Sequence, residues 1–161
     1  MSMIGNFLMI NEERYKKLMS NPDEITNFLY EEEKPDASYL DIDKTWHAIH
    51  FLLTGDTFEG DPPASDVILG GITIGTVDVG YGPARVITNE EVKNVSEYLK
   101  TINTDTLLEK YNADKLNEME IYSGWQDSPE DHEYIKDYFN ELIVFYEKAA
   151  ENNFYVIQYI N

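Results

Sequence analysis

The chain has 161 residues, 42% hydrophobic and 13% aromatic, which suits one ordinary domain with a real core and is too apolar for a disordered chain. Twelve Lys and Arg against 31 Asp and Glu leave a formal charge of −19, a field that repels phosphate backbones and anionic membrane surfaces. Direct nucleic-acid binding is therefore not expected, and the absence of Cys excludes disulfides and thiolate chemistry.

From the N-terminus, Met3 to Ile10 mixes apolar and aromatic side chains around Gly5 and predicts a strand. Asn11 stands as the cap of a helix whose first turn carries Glu12 and Glu13, and Pro22 opens a second short helix, Asp23 to Tyr30. The acidic run Glu31-Glu32-Glu33 with Pro35 predicts a solvated linker. Asp43 is then placed to accept hydrogen bonds from the free amides opening a helix over Trp46 to Leu53, with Thr54-Gly55 as its stop.

Seven of the nine glycines and three of the six prolines fall between Gly55 and Pro83. That stretch predicts loops, a short helix near Ala64 to Leu69, and short strands near Ile72 to Ile74 and Ala84 to Ile87. Thr88-Asn89-Glu90-Glu91 fits a capping box opening a helix to about Lys100, and short helices are expected at Asp105 to Tyr111 and Ala113 to Met119. Ser128-Pro129 gives an N-cap followed by proline at the first helical position. His132, Ile135, Phe139, Leu142, Tyr146 and Ala149 then recur at steps of three and four, so one helix spans Pro129 to about Glu151. The tail FYVIQYI predicts a C-terminal strand. With helices outnumbering strands and no regular alternation, the class is α+β: a single compact domain, helix-rich, with a small mixed or antiparallel sheet including the N- and C-terminal strands.

Two of the three histidines sit in LDIDKTWHAIHFLLTG, where His47 and His50 are near enough on a helix to share a space. The helical zinc pattern needs histidines four apart with a glutamate beside the first, whereas Ala48 follows His47; no metal site is expected. The helix is apolar nearly all round, so both imidazoles read first as hydrogen-bonded core groups. GGITIGTVDVGYGPAR fails both nucleotide templates, since Thr76 stands where a phosphate loop needs lysine and Arg85 replaces the third glycine of the dinucleotide fingerprint. No cofactor is expected.

Arg85 is the only Lys or Arg between Lys44 and Lys93, in a segment carrying Asp56, Glu59, Asp61, Asp66 and Asp78. Its structural role would be a bidentate pair with one of those carboxylates, and its functional role the binding of an anionic ligand. His132-Glu133 begins like a zinc helix, but Lys136 occupies the second histidine position, so His132 reads as a packing residue. No serine sits in a nucleophile elbow.

MIGNFLMI, LDIDKTWHAIHFLLTG, ILGGITIGTVDVGYGPARVIT and the closing helix with its strand resemble, in order and nearly end to end, the YfbM-like family of small bacterial proteins of unknown function. The resemblance implies one α+β domain and brings no catalytic assignment. Trp46, His47, His50, Gly80, Tyr81, Gly82, Pro83 and Arg85 lie in its most recognisable strings. Trp46, His47, His50, Tyr81 and Arg85, with Asp43, make up a candidate pocket shared by the histidine helix and the Y-G-P-A-R turn. Two functions follow as expectations: a non-enzymatic acidic protein that binds a basic protein partner, as immunity proteins do, or a small enzyme or anion-binding protein using His47, His50 and Arg85. With no membrane-length apolar run and no export signal, a cytoplasmic protein is expected.

Overall fold

The computed structural model describes residues 1–30, 32–34 and 38–161, so Glu31 and Pro35 of the expected linker lie outside the described residues. Five strands form one sheet in the order β2-β1-β5-β4-β3: β1 (Gly5–Ile10), β2 (Tyr39–Asp41), β3 (Ile72–Asp78), β4 (Pro83–Ile87) and β5 (Tyr155–Ile160). Every neighbouring pair is antiparallel. The two terminal strands pair through the middle of the sheet, Gly5 opposite Ile160 and Ile10 opposite Tyr155, and β1 is buried along its whole length.

Alternation along these strands divides the interior in two. On one face Leu8, Ile10, Val86, Ile157 and Tyr159 meet Leu18 of α1 (Glu12–Ser20) and Ile25, Phe28 and Leu29 of α2 (Ile25–Tyr30). A single 3-10 turn at Pro22–Glu24 precedes α2, so the second helix starts later than proline alone suggests. On the other face Phe7, Met9 and Val156 join a larger core built from α3 (Trp46–Thr54), α4 (Asp66–Leu69), α5 (Asn89–Lys100), α6 (Thr104–Leu108), α7 (Ala113–Glu118) and α8 (Pro129–Glu151). The α8 stripe Ile135, Phe139, Leu142, Tyr146 and Ala149 is fully buried there. Each large apolar side chain of such a stripe contributes roughly 1.5–3 kcal/mol.

The caps at Asn11, Thr88 and Ser128 are formed: each side chain accepts from a backbone N–H inside the first turn, and Thr88 and Glu91 make the reciprocal box. Gly55 ends α3 at φ 76°. The Asp43 cap is not formed. Asp43 itself has φ 51° and begins a 3-10 turn, Asp43–Thr45, ahead of α3, while Asp41 Oδ1 accepts its backbone N–H at 2.6 Å. The Asp43 carboxylate instead accepts the Tyr134 hydroxyl at 2.6 Å, tying the entry of α3 to α8. Strand β2 has no signal in the sequence, and β3 runs on to Asp78 past an irregular register.

Candidate functional site

The start of α3 is brought against the sheet by Gly5, where an added Cβ would stand 2.7 Å from Cβ of Trp46. That close approach puts Trp46 and His47 beside the ends of β4 and β5. A cavity of about 500 Å³ opens there. Trp46, His47, Phe58 and Tyr122 line one side and Tyr81, Gly82, Pro83 and Arg85 another; the end of β5, Met3, Ile68, Leu69 and Glu120 complete it. Of the pocket expected from the sequence, Trp46, His47, Tyr81 and Arg85 meet around one space, while His50 and Asp43 do not line it.

The aromatic side is a stack. The His47 ring lies 4.8 Å from the Trp46 ring at 9° and 4.9 Å from the Phe58 ring at 27°, and Tyr122 stacks on Trp46 at 6.1 Å. His47 Nε2–H donates to the Thr57 carbonyl at 2.9 Å, and its Nδ1 accepts the Tyr122 backbone N–H, also at 2.9 Å. A carbonyl only accepts and an amide N–H only donates, so the two bonds set the tautomer and leave neither nitrogen free. Burial lowers the His47 pKa below its ordinary value. The ring is a neutral strut joining α3 to the 56–59 turn and to Tyr122, and it is not arranged as a proton carrier.

His50 is wholly buried, its Nε2–H donates to the Glu59 carbonyl at 2.9 Å, and its Nδ1 has no partner among the described residues. Burial lowers its pKa too. The turn these histidines hold is closed by Asp56, whose Oδ1 accepts the N–H groups of Phe58 at 3.1 Å and Glu59 at 3.0 Å.

Arg85 makes no carboxylate pair among the described residues, contrary to its expected structural role. Nε donates to the Gly70 carbonyl at 2.9 Å and one terminal nitrogen to the Gly71 carbonyl at 3.1 Å. Two of its five N–H groups are thus used, leaving three. The geometry depends on Gly71, held at φ 72°, where a Cβ would collide with the Val86 carbonyl. Opposite Arg85 in the β4–β5 register stands Gln158, whose Oε1 accepts the Gly70 N–H at 2.9 Å and whose Nε2 donates to the Asp66 carbonyl and the Tyr146 hydroxyl. Arg85 and Gln158 together clamp the junction of α4 and β3. Of the carboxylates near Arg85 in sequence, Asp66 takes a hydrogen bond from the Gly71 backbone, while Asp78 Oδ1 accepts the N–H groups of Gly80 and Gly82 and shapes the turn that presents Tyr81, itself 43% exposed.

Phe58, Tyr122, Glu120 and Gln158 were not legible as site residues. Only Gln158 carried a signal, as the one polar side chain within an otherwise apolar strand. His132 is half-buried, edge-on to the Tyr111 ring at 4.4 Å, and does not line the cavity. Among the described residues no group of three or more His, Asp or Glu converges as a metal set, and no helix is long and apolar enough to cross a membrane.

Residues 1–159 match the family described as a domain of unknown function, DUF1877. The chain belongs to that family. It is 31% identical to Protein YfbM of Escherichia coli (strain K12) over 128 residues, 77% of this chain and 75% of that protein. The crystal structure of YfbM, a protein of unknown function from Escherichia coli, aligns with a TM-score of 0.75 at 27% identity, covering 98% of this chain and 99% of that one. The α+β domain with its antiparallel sheet is therefore that of the DUF1877 family.

Proposed function

We propose that this DUF1877 domain is a non-enzymatic cytoplasmic binding protein whose cavity takes a small molecule with an apolar body and an anionic group. The observation that carries this is Arg85: in a chain of charge −19 it lines an aromatic cavity with three N–H groups uncommitted and no ion pair among the described residues. Such a guanidinium suits bidentate capture of a carboxylate or phosphate, and the Phe58, Tyr81 and Leu69 side chains suit an apolar body. Acid/base catalysis is not favoured, because both nitrogens of His47 serve the backbone and His50 is sealed away. The test is thermal unfolding with 3-phenylpropionate, phenyl phosphate and the uncharged 3-phenylpropanol, on wild type and Arg85→Met. At least one of the two anions should raise the wild-type Tm and not that of the variant, with the alcohol inactive. No shift with either anion, or equal shifts in the variant, overturns the reading.

A second reading, an acidic surface for a basic protein partner, is favoured by one feature of α8. Glu133, Asp137 and Glu141 recur at i, i+4 on its exposed face, a like-charge ladder that works against the helix. Neutralising all three as Gln, Asn and Gln should stabilise the fold while abolishing salt-sensitive capture of a basic partner. Unchanged capture at low ionic strength removes this reading.

A further inference from the structure

Arg85 is not the only uncommitted charge on the cavity. Glu120 also lines it, exposed, with no side-chain hydrogen bond or ion pair among the described residues. Its backbone is unusual. Glu120 sits at φ 56° just after α7, where the chain leaves the helix through bonds from Glu120 N–H to the Asn117 carbonyl and from Ile121 N–H to the Leu116 carbonyl. That left-handed exit position favours Gly or Asn, and the glutamate is held in it by the two exit bonds and by Ile121 and Leu116, both buried in the core. A carboxylate is thus held at one point of the cavity and a guanidinium at another, each unpaired, with the Phe58 and Tyr81 rings at the exposed margin.

Arg85 serves the fold with only two of its N–H groups, and neither its remaining three nor the Glu120 carboxylate meets an opposite charge among the described residues. The local field makes the same point. In a protein with 31 acidic residues, an unpaired carboxylate repels the anion that Arg85 attracts unless the ligand also carries a cation. We infer that the ligand is a zwitterion, a small molecule with an ammonium and a carboxylate on an apolar or aromatic body, its carboxylate on Arg85 and its ammonium on Glu120. A cavity of about 500 Å³ accommodates a molecule the size of an aromatic amino acid or a dipeptide. The inference rests on the binding reading above and adds the cationic half of the ligand.

The experiment is isothermal titration calorimetry on the full chain. It uses two zwitterions of different charge separation, free phenylalanine and 4-(aminomethyl)phenylacetate, against analogues lacking the ammonium (3-phenylpropionate, 4-methylphenylacetate) or the carboxylate (phenethylamine). In wild type at least one zwitterion should bind about tenfold or more tightly than its ammonium-free analogue, the scale of one charge-assisted hydrogen bond. Glu120→Gln, which keeps the shape and the exposed position, should bring that ratio close to one without weakening the acids. If the acids bind, lose affinity in Arg85→Met, and equal or exceed both zwitterions in wild type, the zwitterion inference is overturned and the anion reading stands. If neither acids nor zwitterions bind at millimolar concentration, both fall.

Discussion

Replacing Gln158 by Leu tests the clamp that holds the site together. The side chain is 2% exposed, and leucine has nearly the same volume, so loss of packing contributes little. The substitution strands the Gly70 N–H, which donates to Oε1 at 2.9 Å, and the Asp66 carbonyl, which accepts from Nε2 at 2.6 Å. The Val67 carbonyl keeps the Tyr146 hydroxyl at 2.6 Å and is not orphaned. One buried and one part-buried group left without partners at about 1–3 kcal/mol each predict a loss of roughly 2–6 kcal/mol, a large share of the 5–15 kcal/mol typical of a domain. Urea unfolding followed by the fluorescence of Trp46 and Trp125 measures it at pH 7.5. Because Tyr146 bridges Gln158 and Val67, Tyr146→Phe should couple to Gln158→Leu by at least about 0.5 kcal/mol in a double-mutant cycle. A loss below about 1 kcal/mol, or strict additivity with Tyr146→Phe, would refute the clamp.

Gly71→Ala forces a methyl group against the Val86 carbonyl at φ 72° and should cost at least about 2 kcal/mol, read as a fall in Tm; an unchanged Tm would show that the junction relaxes freely. Thr88→Ala removes the acceptor for Glu91 N–H and should cost about 1 kcal/mol in urea unfolding, with Thr88→Ser close to wild type. Both buried histidines have pKa values below their ordinary value of 6.5, so as pH falls through about 6.5 the unfolded chain takes up protons that the folded chain refuses. Stability is therefore full above that range and is lost on acidification, at up to about 1.4 kcal/mol per pH unit for each histidine. The urea midpoint should drop between pH 7.5 and 5.5 in wild type and drop less in the His47→Gln/His50→Gln double variant; equal slopes would contradict the assignment of neutral imidazoles.

Local features of the chain were legible where the chemistry is local. Asn11, Thr88 and Ser128 cap helices because each needs only the amides three residues on, and Gly55 stops α3 because it tolerates a left-handed backbone. The stripe from Ile135 to Ala149 announced α8 through its period alone. Asp43 shows where that reasoning stops. Its type and position match a cap, but Tyr134, distant in sequence, offers its carboxylate a hydrogen bond once α8 packs against α3. Similarly, β2 is three residues of largely exposed edge strand, defined by pairing with β1 rather than by its own pattern.

The site divides along the same line. Sequence alone determined that Trp46, His47, Tyr81 and Arg85 stand out, since unusual residue types in Gly-rich or buried text are visible one segment at a time. Only the tertiary structure decided that these four line one cavity, that His50 is sealed from it, and that Arg85 bonds Gly70 and Gly71 instead of a carboxylate. It alone brought in Glu120 and Phe58, which arrive from a helix exit and a turn with no motif of their own. The physical reason is that a cavity belongs to the packing of α3 against the β4–β5 end of the sheet, and the hydrogen-bond partners that set each role are fixed by that packing.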